Sequence, residues 1–230
     1  MSTYLELAQD FHEETVDSGT ISTVVSQTGQ AGRAARWIKD AWTELQLDRQ
    51  DWKWMRKSFT VNTVASTAAY AYGDCTDTET SSPIARFSRW YRNSFKCYLQ
   101  SDGVATEYPL MWMSWDRFRR IYQYGAQTDG MPVSVSQSPN GDFVIGPAPD
   151  DVYVVSADYH LGAQILAADA DEPEMPDQYH KLIVYEAMAK YGGRNIAPEA
   201  MIRANAEGGR LRFNLEQNQL PALTYGRALA

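Results

Sequence analysis

Ala31-Gly32-Arg33-Ala34-Ala35-Arg36-Trp37-Ile38-Lys39-Asp40-Ala41-Trp42-Thr43-Glu44-Leu45 is the stretch whose reading decides the fold. Ala31, Ala34, Ala35, Ile38, Ala41, Trp42 and Leu45 recur at three- and four-residue spacing, which places them on one stripe of a helix. Arg33, Arg36, Lys39, Asp40 and Glu44 fall mostly on the other side. The spacing predicts an amphipathic helix over 30–48 whose apolar face needs partners.

Those partners lie at the two ends of the chain. Thr3 and Glu6 form a capping box, and Tyr4, Leu5, Leu7, Ala8 and Phe11 behind it predict a helix near 3–14. Residues 15–32 are rich in Ser, Thr, Gly and Gln and read as a loop. Far downstream, residues 167–177 form an acidic loop with two prolines. Pro176 suits a first helical turn, and Asp177 suits its positive end. Leu182, Ile183, Tyr185, Glu186, Met188 and Ala189 carry that helix to Tyr191, and Gly192-Gly193 stops it. A last helix starts at Pro198, with a stripe of Met201, Ala204, Leu211 and Leu215 broken at Gly208-Gly209.

Between the helical ends the period changes to two. Asp51-Trp52-Lys53-Trp54-Met55 reads as an extended or turning piece that buries at least one indole, because residues two apart cannot share a helix face. Phe59, Val61 and Thr63 alternate as a strand, and 84–92, 95–100 and 104–110 are strand-like, with Asp102-Gly103 as a turn. Residues 65–82 hold little regular structure. Ser114 caps a short helix over 113–123. Val133 and Val135 alternate with serines, Asn140-Gly141 turns a hairpin into Phe143-Val144-Ile145, and 152–159 is a further strand. The expected fold class is α+β. A helical bundle forms from residues 1–55 and 169–218, a β-rich domain is inserted at 56–168, and 219–230 is an extended C-terminal tail.

Bulk properties exclude several function classes. The 230 residues carry 21 basic and 29 acidic side chains, a net charge of −8, which disfavours a protein that grips nucleic acid by its phosphates. Fourteen Tyr, seven Trp and seven Phe suit either an aromatic core or wide interfaces. Cys75 and Cys97 are expected as unlinked thiols. No stretch approaches the ~18 apolar residues of a membrane span, and the first residues carry no secretory signal, so synthesis in the cytoplasm is expected.

A search for chemistry yields no motif. His12, His160 and His180 have no metal-ligand spacing; His160 reads as a polar strand-end partner of Asp158, and His180 as a surface residue. The acids at 169, 171, 172, 174 and 177 lack the ligand order of a calcium loop and read as solvated carboxylates before a helix. There is no nucleophile elbow, and Gly29-Gln30-Ala31-Gly32 lacks the lysine of a phosphate loop. No catalytic residue, metal or cofactor is expected.

Several short phrases, in order, resemble the head-to-tail adaptor (connector) family of tailed bacteriophages. They are Thr23-Val24-Val25-Ser26-Gln27-Thr28-Gly29, Trp37-Ile38, Ala41-Trp42, Trp52-Lys53-Trp54-Met55, Gly146-Pro147-Ala148-Pro149, and Pro173, Pro176, Tyr179 and His180. The resemblance spans most of 1–190 and is weakest over 65–130. It implies a non-enzymatic virion protein at the portal–tail junction, forming a ring of usually twelve copies. The helical domain would build the ring wall, the β-rich part would face the next tail or nozzle protein, and genomic DNA would pass through the channel without specific binding. It also implies that the tail reaches the portal, which Leu220, Pro221, Leu223, Tyr225 and Leu229 are apolar enough to do by ordering on a partner. Trp37, Trp42, Trp52 and Trp54 are candidate interface or core residues, and the acids facing the lumen are not identifiable. Three alternatives stand beside this reading: a tail-completion or stopper protein, a carbohydrate-binding or glycan-hydrolysing tail component, and a soluble host protein.

Overall fold

A computed structural model describes residues 1–15, 20–49, 51–192 and 198–221. The chain divides into two compact units, Met1–Met55 with Ala163–Ala230, and Arg56–Gly162.

The first unit is helical: α1 (Tyr4–Thr15), α2 (Gly29–Asp48), then α4 (Lys181–Gly192) and α5 (Pro198–Gln219) beyond the insertion, which holds α3 (Trp115–Tyr122). The Thr3–Glu6 capping box forms in both directions: the Thr3 N–H donates to Glu6 at 2.9 Å, and the Glu6 N–H donates to Thr3 Oγ1 at 3.3 Å. Tyr4, Leu7, Ala8 and Phe11 are buried against α2 and α4, and Ala34, Ala35, Ile38, Ala41, Trp42 and Leu45 form the buried stripe of α2. Helix α4 buries Leu182, Ile183, Val184, Ala187 and Met188, positions that go most of the way round it, because α1, α2 and α5 all pack on it. Trp52 ends this unit fully buried. It donates to Leu45 O at 3.1 Å and stacks at 4.5 Å on Trp54 across the single turn Lys53–Met55.

The second unit is two sheets. Its strands are β1 (Arg56–Asn62), β2 (Ala69–Tyr70), β3 (Thr76–Asp77), β4 (Arg89–Trp90), β5 (Lys96–Leu99), β6 (Tyr108–Pro109), β7 (Met111–Trp112), β8 (Ser134–Gln137), β9 (Phe143–Gly146) and β10 (Tyr153–His160). One sheet runs β3-β1-β10-β5-β6, with β4 also on β10; the other runs β2-β9-β8-β7. Strands β1 and β10 pair from Arg56↔His160 to Asn62↔Val154, so the insertion's first and last strands are neighbours and its entry and exit points lie side by side. Phe59 of one sheet and Phe143 of the other approach to 5.9 Å, with Trp90, Phe95 and Tyr159 around them. Much of the chain's aromatic content is therefore spent on this core.

Several expectations need correction. The insertion ends at Gly162 rather than at 168. Gln164 binds the stretch after it to α2: its side-chain oxygen accepts from Trp42 Nε1 at 3.1 Å, its carbonyl accepts from Gln46 Nε2 at 3.0 Å, and its N–H donates to Gln46 Oε1 at 2.7 Å. Helix α5 runs unbroken through Gly208-Gly209 and includes Gln219, the residue expected to open the tail, and Leu220 N–H still bonds Glu216 O. The stretches 84–92 and 104–110 contribute only two-residue strands, the latter behind a single tight turn at Val104–Thr106. Residues 65–82 supply β2 and β3. Strand β8 buries Ser134 and Ser136 along with Val135, because α3 covers the serine face and Tyr122 reaches Ser134 Oγ at 3.3 Å. Ser114 sits at the N-cap of α3 without a side-chain cap bond.

Candidate functional site

Asp169, Asp171, Asp158, His160, His180 and both cysteines are absorbed into structure. Asp169 accepts from Thr23 Oγ1 at 2.7 Å and from Val24 N–H at 2.6 Å, and Asp171 accepts from Ala167 and Ala168 N–H at 2.6 and 2.8 Å. Those two backbone donors hold the Asp171 carboxyl below the usual carboxylate range. These acids staple loops rather than wait in solvent. His180 is fully buried, not superficial: Ser2 N–H donates to its Nδ1 at 3.1 Å, which leaves Nε2 to donate to Met175 O at 3.0 Å. His160 bonds Leu161 O, while Asp158 is taken by Arg56 and Ser58. Cys75 and Cys97 are free and buried, and burial pushes their thiols up to about 12 and about 11, which keeps them unreactive at neutral pH. Among the described residues no group of three or more His, Cys, Asp or Glu is placed to hold a metal ion, and no helix is long and apolar enough to cross a membrane.

The groove between α2, α4 and α5 holds the densest charge. Arg212 binds Glu186 at 2.9 Å and Asp48, with Glu216 at 3.6 Å, and Glu216 also binds Arg49 at 3.1 Å. Lys190 binds Glu44. Each of these charges has a partner, so the groove locks three helices together and offers no unpaired acid or base.

What stays unsatisfied is apolar surface on α5. Ala204, Gly208 and Leu215 face inward. Ile202, Ala206, Gly209 and Phe213 recur at four-, three- and four-residue spacing on the opposite, exposed side, with Ile202 67% and Phe213 61% exposed. A helix that buries one stripe and exposes another presents a contact face. The sequence showed the inner stripe; the outer one was legible in the same spacing, offset by somewhat under half a turn. It runs toward Leu220, which is half-buried, and Pro221, which is exposed. Leu223, Tyr225 and Leu229 lie outside the described residues. Trp42 and Trp52 are core residues, Trp37 is half-buried and edge-on to Tyr191 at 6.5 Å, and Trp54 is half-buried with its indole N–H enclosed and without an acceptor among the described residues.

The chain is thus a helical unit with an exposed apolar stripe on α5, carrying an inserted β unit. The family model described as SU10 adaptor protein matches residues 2–224, and the chain belongs to that family of tailed-phage adaptor proteins. It is by that membership a structural virion component that meets other head or tail proteins. A comparison with curated proteins returns no match.

Proposed function

We propose that this chain forms a homo-oligomeric ring, of twelve copies, that joins the phage portal to the next tail or nozzle protein and continues the DNA channel. The observation that carries the reading is the family match over 2–224, which covers both the helical unit and the insertion. The exposed α5 stripe supports it, because such a face calls for a macromolecular partner. The role is structural and not enzymatic. The helical unit builds the ring wall and the β-rich insertion faces the tail. The segment from Leu220 onward docks on the portal, with Leu220, Pro221, Leu223, Tyr225 and Leu229 as its apolar contacts.

Sizing the purified protein alone and mixed with portal rings tests this reading. The expected result is co-elution with the portal at a fixed multiple-copy stoichiometry, weakened when residues 222–230 are deleted. A single subunit that ignores the portal would overturn it.

A further inference from the structure

Helix α3 presents arginines that make no ion pair among the described residues. Phe118 anchors it, 1% exposed, against Met113 and Val144. Gly146 makes the floor, where any Cβ would stand 2.6 Å from the Tyr122 ring and 2.9 Å from that of Phe118. The opposite side of the helix presents Arg117, Arg120 and Ile121, all exposed, and Tyr124 follows just past its end. Arg117, Arg119 and Arg120 make no ion pair among the described residues; Arg120 Nε reaches only the Asp116 carbonyl.

Helix α1 carries the opposite sign. Its outward positions Glu6, Asp10 and Glu13 are exposed at four- and three-residue spacing, while Glu14 is taken by Arg203. Partial burial, against the pull of Lys181, raises the Asp10 carboxyl, and Glu13, Glu14 and Glu6 raise it further. Like charges crowd this face, and a cation brought to it would relieve them. The two units differ in the same sense: residues 1–55 and 163–230 hold 18 acidic and 12 basic side chains, and residues 56–162 hold 11 and 9.

We infer that the α3 face of one copy docks on the α1 face of a second copy. The inference rests on the ring reading above and names the surfaces that close it. A ring closes by rotation only if each copy presents two different, mutually complementary faces, and an arginine–isoleucine–tyrosine face with a carboxylate face supplies such a pair. Arg stems and aromatic rings suit the dehydrated centre of an interface, and the charges set its register. Duplex DNA is the less favoured occupant, since Ile121 and Tyr124 lie among the arginines and the chain carries −8 overall.

The test uses the full chain, alone and with portal rings. Arg117→Glu with Arg120→Glu is expected to leave the melting temperature unchanged. It is expected to raise the concentration for half-assembly by on the order of 100-fold, since like charges then face each other. Adding Asp10→Arg and Glu13→Arg in the same chain is expected to restore assembly. An independent readout pairs Glu13→Cys with Ile121→Cys, which should give a ladder of disulfide-linked copies on oxidation; the two native cysteines are buried and stay silent. Wild-type rings that tolerate the arginine reversal, with no ladder, overturn the inference and leave the ring reading standing. A wild-type chain that never assembles, even on the portal, overturns both. Retention of a short DNA duplex by wild-type rings that is lost on reversal, with assembly intact, assigns the face to phosphates and overturns the inference.

Discussion

Gly208 and Gly209 are neighbours on α5 with opposite duties. A Cβ on Gly208 would stand 3.0 Å from Tyr185 Cβ, an atom fixed to the α4 backbone, so α5 approaches α4 closely only because position 208 lacks a side chain. A Cβ on Gly209 would meet nothing within 4 Å. Gly208→Ala is therefore expected to destabilise the protein by about 1–3 kcal/mol through overpacking. Gly209→Ala is expected to stabilise it by about 0.5–1 kcal/mol, because alanine is the better residue inside an exposed helix. Chemical denaturation of the two variants checks both signs, and equal effects would contradict the packing. From sequence the pair read as a gap in the apolar stripe of one helix, since glycine adds no apolar side chain to a pattern; that Gly208 is a close-contact position depends on where α4 passes. The Thr3–Glu6 cap was legible because capping is local in sequence. Gln164 was not: its bonds to Trp42 and Gln46 span 122 and 118 residues, and nothing in its neighbours announces them.

The loop between β10 and α4 shows how an element without periodicity is fixed. Asp171 draws in two N–H groups of its own loop, Tyr4 N–H bonds the Asp171 carbonyl, and Asp169 clasps Thr23 and Val24. The acids were visible in the sequence, but their work was not: the donors to Asp169 come from a segment about 145 residues away, and those to Asp171 from a loop with no periodicity. The Asp171 carboxyl titrates below its unfolded value, so its stabilisation is complete above the ordinary carboxylate pKa of about 3.9 and fades as pH falls through the depressed one. Asp171→Asn is expected to cost about 1 kcal/mol at pH 7. The gap to wild type should close at acid pH, once the carboxyl is protonated in both the folded and the unfolded chain. Thermal melts across pH read this directly, and a gap independent of pH would contradict the staple. Strands fared by length: β1, β9 and β10 were legible by alternation or by the Asn140-Gly141 turn, where Gly141 takes φ of +95°. The two-residue strands β2, β3, β4, β6 and β7 are too short to show a period.

At the scale of the whole chain, two units were legible because the period switches from 3.6 to 2 and back, and because both chain ends are amphipathic. The contact faces were not legible in the same degree. Aromatic content, read as interface or core, went largely to core around Phe59, Trp90 and Phe143, and the exposed faces are instead short stripes on α3 and α5. The charge of −8 suits the proposed conduit, whose wall would repel phosphate. Purified rings are expected to release duplex DNA even at low salt, and tight retention under those conditions would contradict a repelling channel. The central claim, that this protein is the adaptor between portal and tail, is tested most directly by electron micrographs of particles assembled without it. Heads lacking tails are expected; complete, infectious tailed particles formed in its absence would contradict the claim.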